Sequence, residues 1–167
     1  MDTSNQINAC VQHLNEITGL NLTLDAEQTT QFEYLGRQVL LRFVPEFSVC
    51  VVHAQLDTLA EPVLPQTLGD LLEANFMLSN TCGGALSWSQ ETRMVALNFF
   101  LSLGDTDSKG FVIRLNRILA VTDEWTQRIR DKNDQAVENA ARRLAGLREG
   151  RTGKSFDMLK QITAIRV

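Results

Sequence analysis

Little in this sequence suits covalent cross-linking, membrane insertion or catalysis. It holds three cysteines, three prolines, two histidines and one tyrosine among 167 residues. Cys10, Cys50 and Cys82 are odd in number, far apart, and set among apolar or small neighbours. That excludes a disulfide framework and reads as reduced thiols. No stretch nears the ~18 consecutive apolar residues of a membrane-spanning helix, and Met1–Cys10 has neither the basic start nor the apolar run of a secretory signal. The expected location is the cytoplasm, with no membrane contact.

The few chemical motifs also fail on inspection. Gly150-Arg151-Thr152-Gly153-Lys154-Ser155 resembles a phosphate loop, but that loop needs a glycine where Arg148 stands and must follow a buried strand. Here it follows an Ala- and Arg-rich helical pattern. Cys10 and His13 are spaced to share a helix face, yet Cys50 and His53 sit at odd spacing on one strand and point to opposite faces, so a four-ligand metal site does not assemble. No Gly-x-Ser-x-Gly elbow occurs, and two histidines offer few bases. Asp105, Asp107, Asp123 and Glu124 read as solvated acids. The expectation is a protein that is not an enzyme and takes no cofactor and no metal.

Charge is scarce overall but unevenly placed. The net charge is −4, yet residues 1–129 hold seven Lys or Arg against fifteen Asp or Glu, and residues 130–167 hold nine against five. An acidic body argues against nucleic acid as main ligand, since phosphate binding is driven by clustered cations. The basic tail alone keeps that reading open.

What the sequence does contain is apolar residues, 44% of the chain, in a clear order. Ile7, Cys10, Val11, Leu14 and Ile17 recur at helical spacing over Asn5–Thr18, closed by Gly19. From Gln31 to Leu56 the period changes to two, with a Leu35-Gly36 turn and a break at Pro45-Glu46, which predicts a three-stranded meander. Its last two strands are apolar on both faces, so the second face needs a cover. Pro65 opens a helix through Leu68, Leu71, Leu72 and Phe76. Leu86-Ser87-Trp88 and Met94–Leu101 predict a second hairpin. A long stripe from Phe111 through Leu115, Ile118, Leu119, Thr122, Trp125 and Ile129 predicts a helix, and Val137, Ala140, Ala141, Leu144 and Leu147 extend its pattern. Gly146, Gly150 and Gly153 then loosen the chain before an apolar-basic end, Phe156–Val167. The fold class is α+β in the order α-β-β-β-α-β-β-α, an antiparallel sheet flanked by helices, with a domain over 1–132 and a basic C-terminal extension over 133–167 that is helical or partly disordered.

The run Leu68-Gly69-Asp70-Leu71-Leu72-Glu73-Ala74-Asn75-Phe76, then Gly83-Gly84-Ala85-Leu86-Ser87-Trp88, then Val95-Ala96-Leu97, with Phe111 and Trp125 on a terminal helix, resembles class I type III secretion chaperones of the Tir-chaperone (CesT-like) family. The resemblance spans roughly residues 5–130. It implies a bacterial cytoplasmic homodimer around which the N-terminal segment of an exported effector wraps in extended form. It places the dimer interface on Leu68, Leu71, Leu72, Asn75, Phe76, Leu86 and Trp88, and the effector-binding pockets on Ile7, Val11, Leu14, Val39, Leu41, Val49 and Val51. Strand addition with apolar pockets explains how such a protein holds a chain that lacks its own fold.

The family domain ends soon after the tryptophan-bearing helix, whereas this chain continues for about forty residues. Docking on the acidic body of a partner subunit, contact with the secretion ATPase, or no role at all are three open uses for that tail. Two rival functions stand beside the chaperone: a regulator that sequesters a transcriptional antiactivator on the same fold, and a nucleic-acid-associated module whose basic tail does the work.

Overall fold

In a computed structural model of the chain, which describes the backbone of residues 3–163 and the side chains of residues 3–145, the first apolar stripe forms helix α1, Thr3–Thr18. It buries Ile7, Cys10, Val11 and Leu14 on one face. Gly19, at a φ of +71°, ends it by turning the chain through the left-handed region that a Cβ disfavours.

The period-two stretch forms β1 (Thr29–Tyr34), β2 (Arg37–Val44) and β3 (Val49–Thr58). Leu35 and Gly36 both have positive φ, which matches the twist a two-residue hairpin requires. Pro45 opens a single 3-10 turn, Pro45–Phe47, between β2 and β3. Helix α2 spans Pro65–Ala74, with the proline in its first turn where no amide hydrogen is needed. The second hairpin is β4 (Ala85–Trp88) and β5 (Met94–Ser102), and helix α3 runs from Ser108 to Thr163. The element order is the expected one. Gly146, Gly150 and Gly153, where the sequence suggests loosening, fall within α3. Of the apolar-basic end, residues 164–167 lie outside the described residues.

All strands are antiparallel in one sheet of order β1-β2-β3-β5-β4. Strand alternation sorts its side chains into two faces. Val39, Leu41 and Phe43 of β2, Cys50, Val52 and Ala54 of β3, and Leu97, Phe99 and Leu101 of β5 are buried with Phe111, Leu115, Ile118 and Leu119 of α3 and the apolar face of α1. Both helices lie on this inner side, α1 packing on α3 and α3 on β3 and β5. The cover expected for the other face is absent among the described residues: Leu40, Val44, Val49 and Val51 remain half-exposed there and Phe100 is 74% exposed.

A buried arginine locks the β1–β2 hairpin onto α3. Arg37 donates to Asp123, to Thr126 Oγ1 and to the Thr122 carbonyl (3.2 Å), and its guanidinium lies 5.6 Å from the Tyr34 ring centroid. Tyr34 in turn donates to Asp123 (3.2 Å). A second link joins α2 to α3: Lys132 donates to Asp70, and that hydrogen bond holds the Asp70 carboxyl below the usual carboxylate range. A lowered native pKa contributes stability that is present above the unfolded value, ~3.9, and lost as pH falls through the native one, so this link is intact throughout the neutral range.

Two predictions follow from this packing. Burial raises the Cys10 thiol to about 11 and the Cys50 thiol further still, while Cys82 is exposed. Iodoacetamide at pH 8 therefore labels one thiol per native chain, at Cys82, and three after unfolding; rapid native labelling of Cys10 or Cys50, read by peptide mass, contradicts the packing. For the Arg37 cluster, Asp123→Ala leaves a guanidinium buried without its counter-charge and costs about 2 kcal/mol in urea unfolding. Arg37→Met removes the charge itself and costs less. The reverse order would show that the cluster is held by the arginine's packing instead of its charge.

Candidate polypeptide-binding surface

The apolar face left open on the sheet has an ordered layout set by strand register. Arg42, Val51 and Phe100 lie in one row across β2, β3 and β5, and Leu40, His53 and Asn98 in the next. His53 Nδ1 and Asn98 Oδ1 are 2.7 Å apart, so the polar pair in the middle of the patch satisfies itself. Val44 and Val49 close the far end. A Phe side chain fully buried contributes ~1.5–3 kcal/mol, and Phe100 is the most exposed apolar side chain on this face.

The two edges of the sheet differ. On β4, the Asn75 side chain accepts from the Leu86 amide (2.8 Å) and donates to the Leu86 carbonyl (3.0 Å), occupying the outer peptide groups as a further strand would. On β1, the Asp25 backbone amide donates to the Thr29 carbonyl (3.0 Å), and Asp25 Oδ1 accepts from the Thr29 amide (2.8 Å). Thr29 thus faces away from β2, and alternation puts the peptide groups of Gln31 and Glu33 on that same edge, where no described group pairs with them. A trough of about 430 Å³ lined by Asn21, Leu22, Thr23, Asp25, Thr29, Thr30, Gln31 and Leu40 runs beside it. The β1 edge is open for strand addition and the β4 edge is capped at its centre.

A third surface lies at the end of α2. Leu72 is 72% exposed, Phe76 75% and Met77 79%, with Leu78 partly exposed beside them. Met77, Leu78 and Cys82 hold positive φ between α2 and β4, a conformation costly for residues with side chains. Trp125 Nε1 steadies this connection by donating to the Asn80 carbonyl (3.0 Å). Gly84 has no room for a side chain, since a Cβ there would sit 2.6 Å from the Phe99 ring.

The residues singled out in the sequence divide sharply by exposure. Among the expected effector contacts, Ile7, Val11, Leu14, Val39 and Leu41 are buried in the protein's own core and offer no surface to a second chain in this conformation; helical and strand period mark the inner face first. Val49 and Val51 lie on the open face. Among the expected dimer residues, Leu72 and Phe76 are exposed and Leu68 is half-buried, whereas Leu71 and Leu86 are buried and Asn75 is engaged with Leu86. Trp88 is half-buried with its indole Nε1 lacking a partner, the one such buried side-chain nitrogen or oxygen among the described residues. Phe100 and the free β1 edge escaped the sequence reading. The pair Phe99-Phe100 carried a signal for the first of these, because neighbouring strand residues cannot both face one core. No group of three or more potential metal ligands occurs among the described residues.

Known proteins share the fold. The ExsC–ExsE complex superimposes with a TM-score of 0.65 at 18% identity, covering 77% of this chain and 97% of that one. The HopA1–SchA chaperone–effector complex does so at 0.59 and 16% identity, covering 78% and 98%. The Yersinia pestis type III secretion chaperone SycH, in complex with a fragment of YscM2, gives 0.57 at 14% identity, covering 74% and 98%. These likenesses establish the fold. No curated protein matches by sequence. A model of the Tir chaperone protein (CesT) family does match, over residues 9–126 of the 167, and the chain belongs to that family.

Proposed function

We propose that the protein is a cytoplasmic type III secretion chaperone that binds the N-terminal segment of an effector in extended form and keeps it soluble for export. The observation that carries this reading is the open β1 edge lying next to an uncovered apolar sheet face. Together they supply main-chain hydrogen bonds that suit almost any sequence and apolar contacts that fix its register. Family membership and likeness to chaperone–effector complexes point the same way. Such binding uses buried surface and needs no nucleotide.

The same reading makes the chain a homodimer joined through the apolar end of α2. Leu72, Phe76 and Met77 would be covered there, and the unpartnered Trp88 indole lies on the neighbouring hairpin. Exposed apolar side chains clustered with a strained turn are what an interface leaves behind when its partner is removed.

Effector binding is tested by co-purification with the N-terminal segments of proteins encoded beside this chain. Val51→Asp with Phe100→Asp, both on the open face, abolishes recovery of the segment while leaving the fold intact by circular dichroism. Gln31→Pro removes one outward amide and weakens recovery at least tenfold, a cost of about 1.4 kcal/mol. Undiminished recovery by both variants would place the effector elsewhere. For the dimer, light scattering of Leu72→Glu reads a monomer near 18.7 kDa where the parent reads twice that, because a charge in an apolar interface lacks a partner. A dimeric variant would remove α2 from the interface.

A further inference from the structure

We propose that the C-terminal continuation of α3 is a docking arm that lies on the acidic body of a second copy of this chain. The inference rests on the reading of α2 as a self-association surface and gives a role to the segment beyond the family match, which ends at residue 126.

The helix leaves the body at a definite point. Ile129 is the last buried side chain of α3 among the described residues. Lys132 bonds Asp70, and Asn133 donates to the Thr58 carbonyl (2.8 Å) and accepts from the Ala60 amide (2.8 Å). From there α3 continues unbroken to Thr163, about 45 Å at ~1.5 Å per residue. Every described side chain from Asp134 to Ala145 is exposed or half-exposed. Val137 and Leu144, 60% and 63% exposed, fall on one face with Ala140 between them. Arg142 pairs with Glu138 on its own helix, one turn back. An unbroken helix cannot carry that stripe back to the body it leaves, so what covers it belongs to another molecule.

Charge selects the occupant. Residues 134–167 carry seven Lys or Arg against four Asp or Glu, and residues 1–133 carry nine against sixteen. Two arms repel one another, and each is attracted to a body of its own kind. A phosphate polymer would meet the arm but be repelled by the acidic body beneath it. The departure point also favours a second copy. Asp70 and Glu73 of α2 line one cleft with Arg128, Lys132 and Gln135 of α3, and Leu72 and Phe76 stand exposed on the same short helix. Two chains meeting on α2 would therefore each send an arm past the other's apolar and acidic surface, offering Val137 and Leu144 to the first and Arg142 and Arg143 to the second.

Sedimentation velocity of full-length chains tests the proposal. Arg142→Glu/Arg143→Glu raises the dimer dissociation constant about tenfold at low ionic strength, and the difference shrinks in about 0.5 M salt, where charges are screened. Leu144→Glu weakens the dimer in both conditions. Unchanged constants in both variants overturn the arm, as does a loss confined to binding of a short duplex DNA or an acidic polypeptide probe with self-association intact. Leu72→Glu separates the two readings. If it dissociates the dimer and the arm variants do not, α2 stands and the arm falls; if the arm variants weaken a dimer that Leu72→Glu leaves intact, the arm stands without α2. A parent chain that is monomeric at every concentration sinks both.

Discussion

The two long helices α1 and α3 lie on one side of the sheet, and the rest of the molecule depends on that asymmetry. α1 and α3 cover the face carrying Val39, Leu41, Phe43, Cys50, Val52 and Leu97. β2 and β3 nonetheless carry apolar side chains on the other face as well, the composition of a strand buried on two sides. A soluble sheet covered on one side would place polar residues at Leu40, Val49, Val51 and Phe100. These side chains, Phe100 above all, would gain from cover by another chain.

The same asymmetry explains what could be read from the sequence. Period and turn chemistry are local properties, so α1, the Leu35-Gly36 hairpin, the break at Pro45 and the proline start of α2 were legible residue by residue. Which face of a doubly apolar strand meets the helices is not local. Val39 and Leu40 have equal claims by hydropathy, and only the packing of α1 and α3 decides between them. That is why Ile7, Val11, Leu14, Val39 and Leu41, expected at a binding surface, belong to the core, whereas Val49 and Val51 lie outside it. Arg37 was equally hidden. A charged residue at the start of a strand reads as exposed, and its burial depends on Asp123 and Thr126, more than eighty residues away.

The two sheet edges differ in a way that would keep two proposed partners apart. Asn75 follows α2 directly and uses both ends of its amide on Leu86, so the β4 edge is closed by the same segment that presents Leu72 and Phe76. Strand addition would thereby be directed to β1, at the opposite edge of the five-stranded order. An extended polypeptide on β1 and a second copy on α2 would occupy opposite edges of the sheet. The capped edge also limits edge-to-edge association of a sheet whose open face is apolar, the usual route to uncontrolled aggregation.

The turn between α2 and β4 carries the remaining tension in the structure. Met77, Leu78 and Cys82 hold positive φ, which for residues with side chains costs on the order of 1–3 kcal/mol each unless the surroundings enforce it. Two enforcing contacts are visible. Trp125 holds the Asn80 carbonyl, and Gly84 lies so close to the Phe99 ring that β4 has no freedom to shift inward. Both act from the buried side, through α3 and the sheet, while Phe76 and Met77 project outward. The strain is thus supported by the core and displayed at the surface. A connection that merely joined α2 to β4 would relax by turning those two apolar side chains inward; holding them out against that tendency is consistent with a surface shaped for contact with another chain.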